Sequence, residues 1–396
     1  NVQTGEILVR LMNGTQVLEQ GSLGKYDLTA YDYKLADFNG DNKTDFLLRN
    51  KTTGDNLIVL MDGTRVANYL TLDRVDPGWT ANIGDFNGDG NLDLATANSW
   101  NSSVSIRLGD GLGGFSGTVN YPVGFNPRSI RVGDFNSDGK QDIAAANAGG
   151  ATVSLLLGNG VGGMYNGSEV SVGSNPYCVE LGDFNGDGYG DVVIGAPLNT
   201  LTETNGVVRT EIGAAVIYEG GLNTQNVPAG YSGTGQVNGR YLYYNLNKGW
   251  LGFSVAGVGD INNDGLADVL IGMPQDPDSK NIAGAFLVYG KTNNATGSLA
   301  EYRQDITTLG ASALKITIPG VPAGTSYLSS AGYSVSAAGD VNGDGWVDMI
   351  ISSPYQWVSG LGSITGVSYL IYGRNTWSGS QSISLNDVGT TTVPGF

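Results

Sequence analysis

Six nine-residue stretches of the form Asp-x-Asn-x-Asp-x-x-x-Asp run through this chain, starting at Asp37, Asp85, Asp134, Asp183, Asp260 and Asp340. Side-chain oxygens fall at positions 1, 3, 5 and 9 of every copy. A hard divalent cation takes about six to eight oxygens at short range, and a tight turn with alternate residues aimed inward supplies them. The pattern therefore predicts a calcium loop, filled six times. The expected ligands are Asp37, Asn39, Asp41, Lys43 and Asp45; Asp85, Asn87, Asp89, Asn91 and Asp93; Asp134, Asn136, Asp138, Lys140 and Asp142; Asp183, Asn185, Asp187, Tyr189 and Asp191; Asp260, Asn262, Asp264, Leu266 and Asp268; and Asp340, Asn342, Asp344, Trp346 and Asp348. Position 7 varies from Lys to Trp, as expected of a residue that offers only its backbone carbonyl. Position 6 is Gly in five copies and Asn42 in the first, the residue types that best tolerate a left-handed turn.

An EF-hand loop would need a carboxylate at position 12, between two helices. Here that position is Leu48, Thr96, Ala145, Ile194, Ile271 and Ile351, and the flanks (LATA, IAAA, VVIGA, VLIGM) read as short buried strands. Plain Asx-rich turns are the other alternative; six copies in register weigh against them.

The formal charge of -17 fits the same reading, because 18 of the 29 aspartates lie in the loops. Six divalent ions would offset about 12 of those charges. With no basic stretch to neutralise phosphates, nucleic acid is not an expected partner. No apolar run is long enough for membrane insertion. Charged residues make up only 14 % of the chain and Gly 63 of 396 positions, which points to a tightly turned all-β protein. The single cysteine, Cys178, excludes an internal disulfide. Loops of this kind fill where free calcium is millimolar, so a secreted or cell-surface location is expected. The chain begins at Asn1 without a signal peptide, which fits a processed product.

The elements that must carry the loops follow from their spacing. Successive loops start 48, 49, 49, 77 and 80 residues apart, the period of a four-stranded propeller blade that lengthens in the later copies. Each unit reads strand, calcium loop, strand, outer hairpin. The first three carry compact outer strands, DNLIVLMDGT, SVSIRLGDG and TVSLLLGNG. The last three have GAP-like turns after the loop (IGAP to Pro197, IGMP to Pro274, ISSP to Pro354) and later strands GAAVIYEG, GAFLVYG and GVSYLIYG; GFSVAGVGD and GYSVSAAGD precede loops five and six.

These residues resemble the FG-GAP repeats of the integrin α-subunit head and of many bacterial surface proteins. The first three units resemble related short repeats of bacterial secreted proteins. The resemblance implies an all-β, seven-bladed β-propeller of four-stranded antiparallel blades, with calcium on one rim. Residues 1–17 match residues 50–66 at nine of seventeen positions, so the chain opens halfway through a blade. The expected single domain, 1–396, has blade 1 split between 1–22 and about 376–396. Blades 2 to 7 then fall at about 23–71, 72–120, 121–170, 171–245, 246–326 and 327–375. The alternative is a piece of a longer chain whose other residues supply the inner strands.

Histidine is absent, which removes Ser-His-Asp, Cys-His and His-based zinc chemistry and leaves only carboxylates or tyrosines for catalysis. The calcium is expected to be structural. Long connections at 198–213, 221–251, 275–283, 291–331 and 355–365 are expected on the opposite rim, where recognition commonly resides. They contain Tyr231, Tyr241, Tyr243, Tyr244, Trp250, Tyr327, Tyr355 and Trp357, which suit sugar rings or a protein hot spot if exposed. The leading expectation is a calcium-stabilised adhesion or recognition module for an extracellular glycan or protein, not an enzyme. A self-assembling subunit of an extracellular layer or filament is one alternative. A carbohydrate-active enzyme on a propeller scaffold is the other.

Overall fold

A computed structural model of the chain describes residues 6–13, 16–26, 30–72, 74, 80–202, 208–219, 239–244, 249–274, 283–292, 303–317, 330–358, 363–374, 382–385 and 388. These residues are strands and turns, with two short 3-10 turns at Ile306–Thr308 and Gly310–Ser312 and no α-helix among them. No helix of the described residues is long and apolar enough to cross a membrane. The chain divides into two compact units. One comprises Asn1–Val132, Lys140–Ile143 and Leu157–Asn166; the other comprises Gly133–Gly139, Ala144–Leu156 and Gly167–Phe396.

In the first unit, β1 (Glu6–Asn13) and β2 (Gln16–Lys25) form a two-stranded antiparallel sheet. The next four strands, β3 (Tyr31–Ala36), β4 (Asp45–Asn50), β5 (Asn56–Asp62) and β6 (Arg65–Leu72), make a four-stranded antiparallel meander. A second meander contains β7 (Ala81–Gly84), β8 (Asp93–Asn98), β9 (Ser103–Gly109) and β10 (Phe115–Pro122). In each, a loop of the nine-residue pattern joins the first strand to the second. The turn of β1 and β2 pairs Asn13 with Gln16, and the turn of β5 and β6 pairs Asp62 with Arg65, so the internal sequence match is also a match of strands. Ile7, Val9 and Leu23 of that hairpin pack with Leu48, Val59 and Met61, one apolar face covering another.

A third four-stranded sheet has the order β11 (Pro127–Gly133), β12 (Asp142–Asn147), β13 (Thr152–Gly158) and β14 (Met164–Ser171). Further along are β15 (Cys178–Gly182), β16 (Asp191–Ala196), β17 (Leu201–Thr202), β18 (Val208–Arg209), β19 (Ala214–Tyr218) and β20 (Gly239–Tyr243). Beyond them lie β21 (Val255–Gly259), β22 (Asp268–Met273), β23 (Gly284–Val288), β24 (Arg303–Asp305) and β25 (Ala313–Thr317). The last are β26 (Ser334–Gly339), β27 (Asp348–Val358), β28 (Ser363–Ile371) and β29 (Ser382–Ser384).

Two of these later sheets have five strands. β24 adds in parallel beyond β20 in the sheet β15-β16-β19-β20-β24, and β29 adds in parallel beyond β25 in β21-β22-β23-β25-β29. β26, β27 and β28 form a three-stranded sheet, and β17 with β18 forms a small hairpin. The second strands β16 and β22 are buried along their whole length, as expected of strands covered on both faces.

The architecture is all-β and of the β-propeller class, but among the described residues there are six blade sheets rather than the expected seven. Among the described residues β1 and β2 pair only with each other. β29, from the C-terminal segment expected to complete the split blade 1, is the fifth strand of the β21–β25 sheet. Its Ile383 is buried there with Leu385 against Leu314 and Ile316, and that apolar seating accounts for the pairing.

Candidate metal loops

The six loops share one hydrogen-bond scheme. The position-5 N–H donates to Oδ1 of both the first Asp and the Asn at position 3. For Asp41 the distances are 3.1 Å to Asp37 and 3.2 Å to Asn39, and for Asp264 they are 3.0 Å to Asp260 and 3.0 Å to Asn262. The same pair of bonds recurs at Asp89, Asp138, Asp187 and Asp344. The position-6 N–H donates to the other oxygen of the first Asp, from Asn42, Gly90, Gly139, Gly188, Gly265 and Gly345. The position-7 N–H of Lys43, Asn91, Tyr189, Leu266 and Trp346 donates to Oδ1 of the position-5 Asp. Position 7 therefore engages the loop through its backbone, while the Lys43 side chain pairs with Asp62 at 2.8 Å.

Left-handed backbone occurs at two places per loop. Position 6 has it, and so does position 4, where Gly40, Gly88, Gly186 and Gly343 are joined by Ser137 (φ 56°) and Asn263 (φ 59°). Two left-handed residues around each central Asp let the turn fold back twice within nine residues.

The ninth residue has a role that its spacing does not announce. Asp45, Asp93, Asp142, Asp191, Asp268 and Asp348 are each 0 % exposed. Asp93 Oδ2 accepts the Phe86 N–H at 2.8 Å and Oδ1 accepts the Gly109 N–H at 2.8 Å, tying the loop entry to the end of the third strand. Asp45 does the same with Phe38 and Met61, Asp268 with Ile261 and Gly290, and Asp348 with Val341 and Gly373. Gly109 is required by this clamp, since a Cβ there would lie 2.2 Å from the Leu92 carbonyl oxygen.

Position 2 anchors the loop from below: Phe38, Phe86, Phe135, Phe184 and Ile261 are buried, and only Val341, at 52 %, is exposed. Each buried aromatic contributes about 2 kcal/mol.

Burial raises the Asp45 and Asp93 carboxyls above the usual range, and the neighbouring loop carboxylates add to the effect. The same causes push Asp268 up to about 7, burial first and then Asp264 and Asp260. Among the described residues no three acidic side chains form a metal site by themselves, so the Asn at position 3 and the carbonyl at position 7 would have to complete one. The oxygens of positions 1 and 3 converge on one N–H and retain lone pairs, an arrangement that fits a hard cation.

The expected aromatic face is placed differently. Tyr241 and Tyr243 lie on β20, a blade strand and not a connection, and Tyr244 follows it directly. Tyr241 (7 % exposed) and Tyr243 pack in the cluster of Val170, Val172 and Val216, while Leu242 and Tyr244 (4 %) pack in that of Leu251 and Phe286. Strand alternation sends the two pairs to opposite faces, and both faces are core. Trp250 donates from Nε1 to Glu211 Oε2 at 3.2 Å and stacks on Phe253 at 6.1 Å. Tyr355 and Trp357 lie on β27, and Tyr231 and Tyr327 fall outside the described residues. Exposed aromatics do occur elsewhere, at Tyr33, Tyr69, Trp100, Phe125 and Tyr165. Their flanking sequences carry no signal that separates them from core aromatics.

Over 152 residues the chain is 27 % identical to integrin alpha-PS2 of Drosophila melanogaster, covering 38 % of this chain and 9 % of that protein. Over 148 residues it is 27 % identical to integrin alpha pat-2 of Caenorhabditis briggsae, covering 35 % of this chain and 11 % of that protein. The chain thus spans about a tenth of the length of these curated relatives. A solved structure on the recognition of non-reducing terminal N-acetylglucosamine by an Agrocybe aegerita lectin aligns with 14 % identity, 89 % coverage of this chain and 82 % of that one; its TM-score of 0.46 is too low to carry an argument. The FG-GAP-like repeat matches at residues 37–96, 85–145 and 134–194, and the FG-GAP repeat at 179–218, 251–289 and 331–363. Each match contains part or all of a nine-residue loop or the strands beside it, and on these repeats the chain belongs to the FG-GAP family.

Proposed function

We propose that this chain is a calcium-stabilised recognition module of an extracellular or cell-surface protein, binding a glycan or a protein. The observation that carries the reading is the six-fold repetition of one loop geometry, in an FG-GAP chain that is also 27 % identical to integrin alpha-PS2 over 152 residues. The ions would be held by positions 1, 3, 5, 7 and 9 of each loop, and when bound they would offset carboxylates that otherwise repel one another. The chain's own residues do the rest. Position 2 anchors the loop, position 9 clamps it to the third strand, and the blades hold their connections as fixed display sites.

The reading is of a binding protein and not a catalyst, supported by the absence of histidine and the use of most aspartates in the loops. Tyr241, Tyr243 and Tyr244 are assigned to the core, leaving recognition to the connections. Capture on immobilised glycans and surface extracts, in millimolar calcium and in excess chelator, tests it. Calcium-dependent capture of a defined ligand is expected. Silence in both conditions would replace the reading with that of a structural subunit.

A further inference from the structure

Within the first unit, Ser99, Trp100, Phe125, Asn126 and Arg128 line an open groove of about 540 Å³. Trp100 sits in the turn between β8 and β9 and is 78 % exposed; Phe125 sits in the link from β10 to β11 and is 66 % exposed. Both segments are fixed. Ser99 Oγ donates to the Pro127 carbonyl at 2.8 Å, and the Val123 N–H donates to the Ser102 carbonyl at 3.0 Å.

The following repeat separates what the fold needs from what it does not. Forty-nine residues on, Ser102 and Asn126 correspond to Ala151 and Asn175. Their φ values are 47° and 57° in the one repeat, 55° and 55° in the next, so the left-handed turns are common architecture. Trp100 and Phe125 correspond to Gly149 and Ser174, so the same turns form without any aromatic ring. Two large exposed rings that share one groove, at positions where the turns need none, mark that groove as a candidate ligand site.

We infer that this groove binds a β-linked, uncharged pyranoside of a glycan, with Trp100 and Phe125 against the C–H faces of the sugar and Ser99, Asn126 and Arg128 bonding its hydroxyls. Flat aromatic faces suit rings whose equatorial hydroxyls leave an apolar face, and the rim supplies both donors and acceptors. Even with about 12 of its formal charge of -17 offset by bound ions the chain stays net negative, which disfavours a polyanionic ligand. The inference rests on the recognition reading above and gives it a sugar class and a site.

The test is calorimetric titration of the whole chain in millimolar calcium with cellohexaose and laminarihexaose, comparing wild type with Trp100→Gly and Phe125→Ser. Both substitutions install the residue of the next repeat, so folding is retained, with melting checked alongside. Saturable binding to one of the hexasaccharides is expected, with affinity falling at least about 10-fold in each variant. No binding by the wild type, or equal binding by all three proteins, overturns the inference. If capture from surface extracts persists unchanged in both variants while neither hexasaccharide binds, the recognition reading stands and the groove assignment fails. If instead the variants lose capture of an extract protein and the sugars remain silent, the groove docks a protein and the glycan assignment is overturned.

Discussion

Between Asp37 and Asp183 a loop starts every 48 or 49 residues and each sheet ends at four strands; after Asp183 the intervals are 77 and 80, and two sheets acquire a fifth strand. The hydrogen bonds within the loops do not change across that divide. What changes is the treatment of the outer edge. In the compact repeats the edge strands β6 and β10 are largely exposed, and their pairing shifts register between Leu60 and Met61 and between Ser116 and Val119. Bulged, solvated edges resist further pairing. In the elongated repeats β20 carries the buried Tyr241 and Leu242 and β25 carries Leu314 and Ile316, and β24 and β29 pair beyond them. Part of the added length is therefore edge protection, a role quite different from the ligand display expected of it.

Removal of divalent ions should have the largest effect on this comparison. In excess chelator the melting temperature should fall by about 10 °C or more, with faster amide exchange at loops of both classes. Loss at one class alone would break their equivalence, and an unchanged melt would sink the calcium reading. Tyr244→Ala should cost about 3–5 kcal/mol by denaturant titration, because Tyr244 is core; a cost under about 1 kcal/mol would return it to the surface. Next in size is the contrast within one loop. Asp93→Ala should cost about 2–3 kcal/mol even in excess chelator, since it strands the Phe86 and Gly109 N–H groups, and more in calcium, where a ligand is lost as well. Asp89→Ala should destabilise only in calcium, and equal behaviour of the two would refute the clamp. The smallest effect is expected from Ile383→Lys, about 1–2 kcal/mol, together with concentration-dependent association seen by light scattering as the β25 edge is uncovered.

The loop positions are legible because Asp and Asn repeat at fixed spacing, and so are the strands on either side, whose apolar runs are bounded by those loops. The left-handed residue at position 4 was hidden by Ser137 and Asn263, which break the glycine pattern. The clamp at position 9 was hidden because burial is not written in residue type. β20 falls within an expected connection because Tyr241, Tyr243 and Tyr244 look equally suited to a surface; the packing of both its faces distinguishes them. The parallel fifth strands depend on partners far along the chain, which local pattern does not encode, and their seating also altered the blade count.

The order in which the chain is synthesised gives those fifth strands a further consequence. Tyr241 pairs with Arg303 and Lys315 with Ser382, partners 62 and 67 residues apart. A ribosome adding about 5–20 residues per second delivers each covering strand several seconds after the edge it protects has emerged. A compact blade is complete within its own 49-residue stretch, whereas an elongated one waits for its neighbour's sequence with an apolar edge uncovered. Stalled or truncated nascent chains ending before Arg303 or Ser382 should therefore be the species that chaperones hold longest.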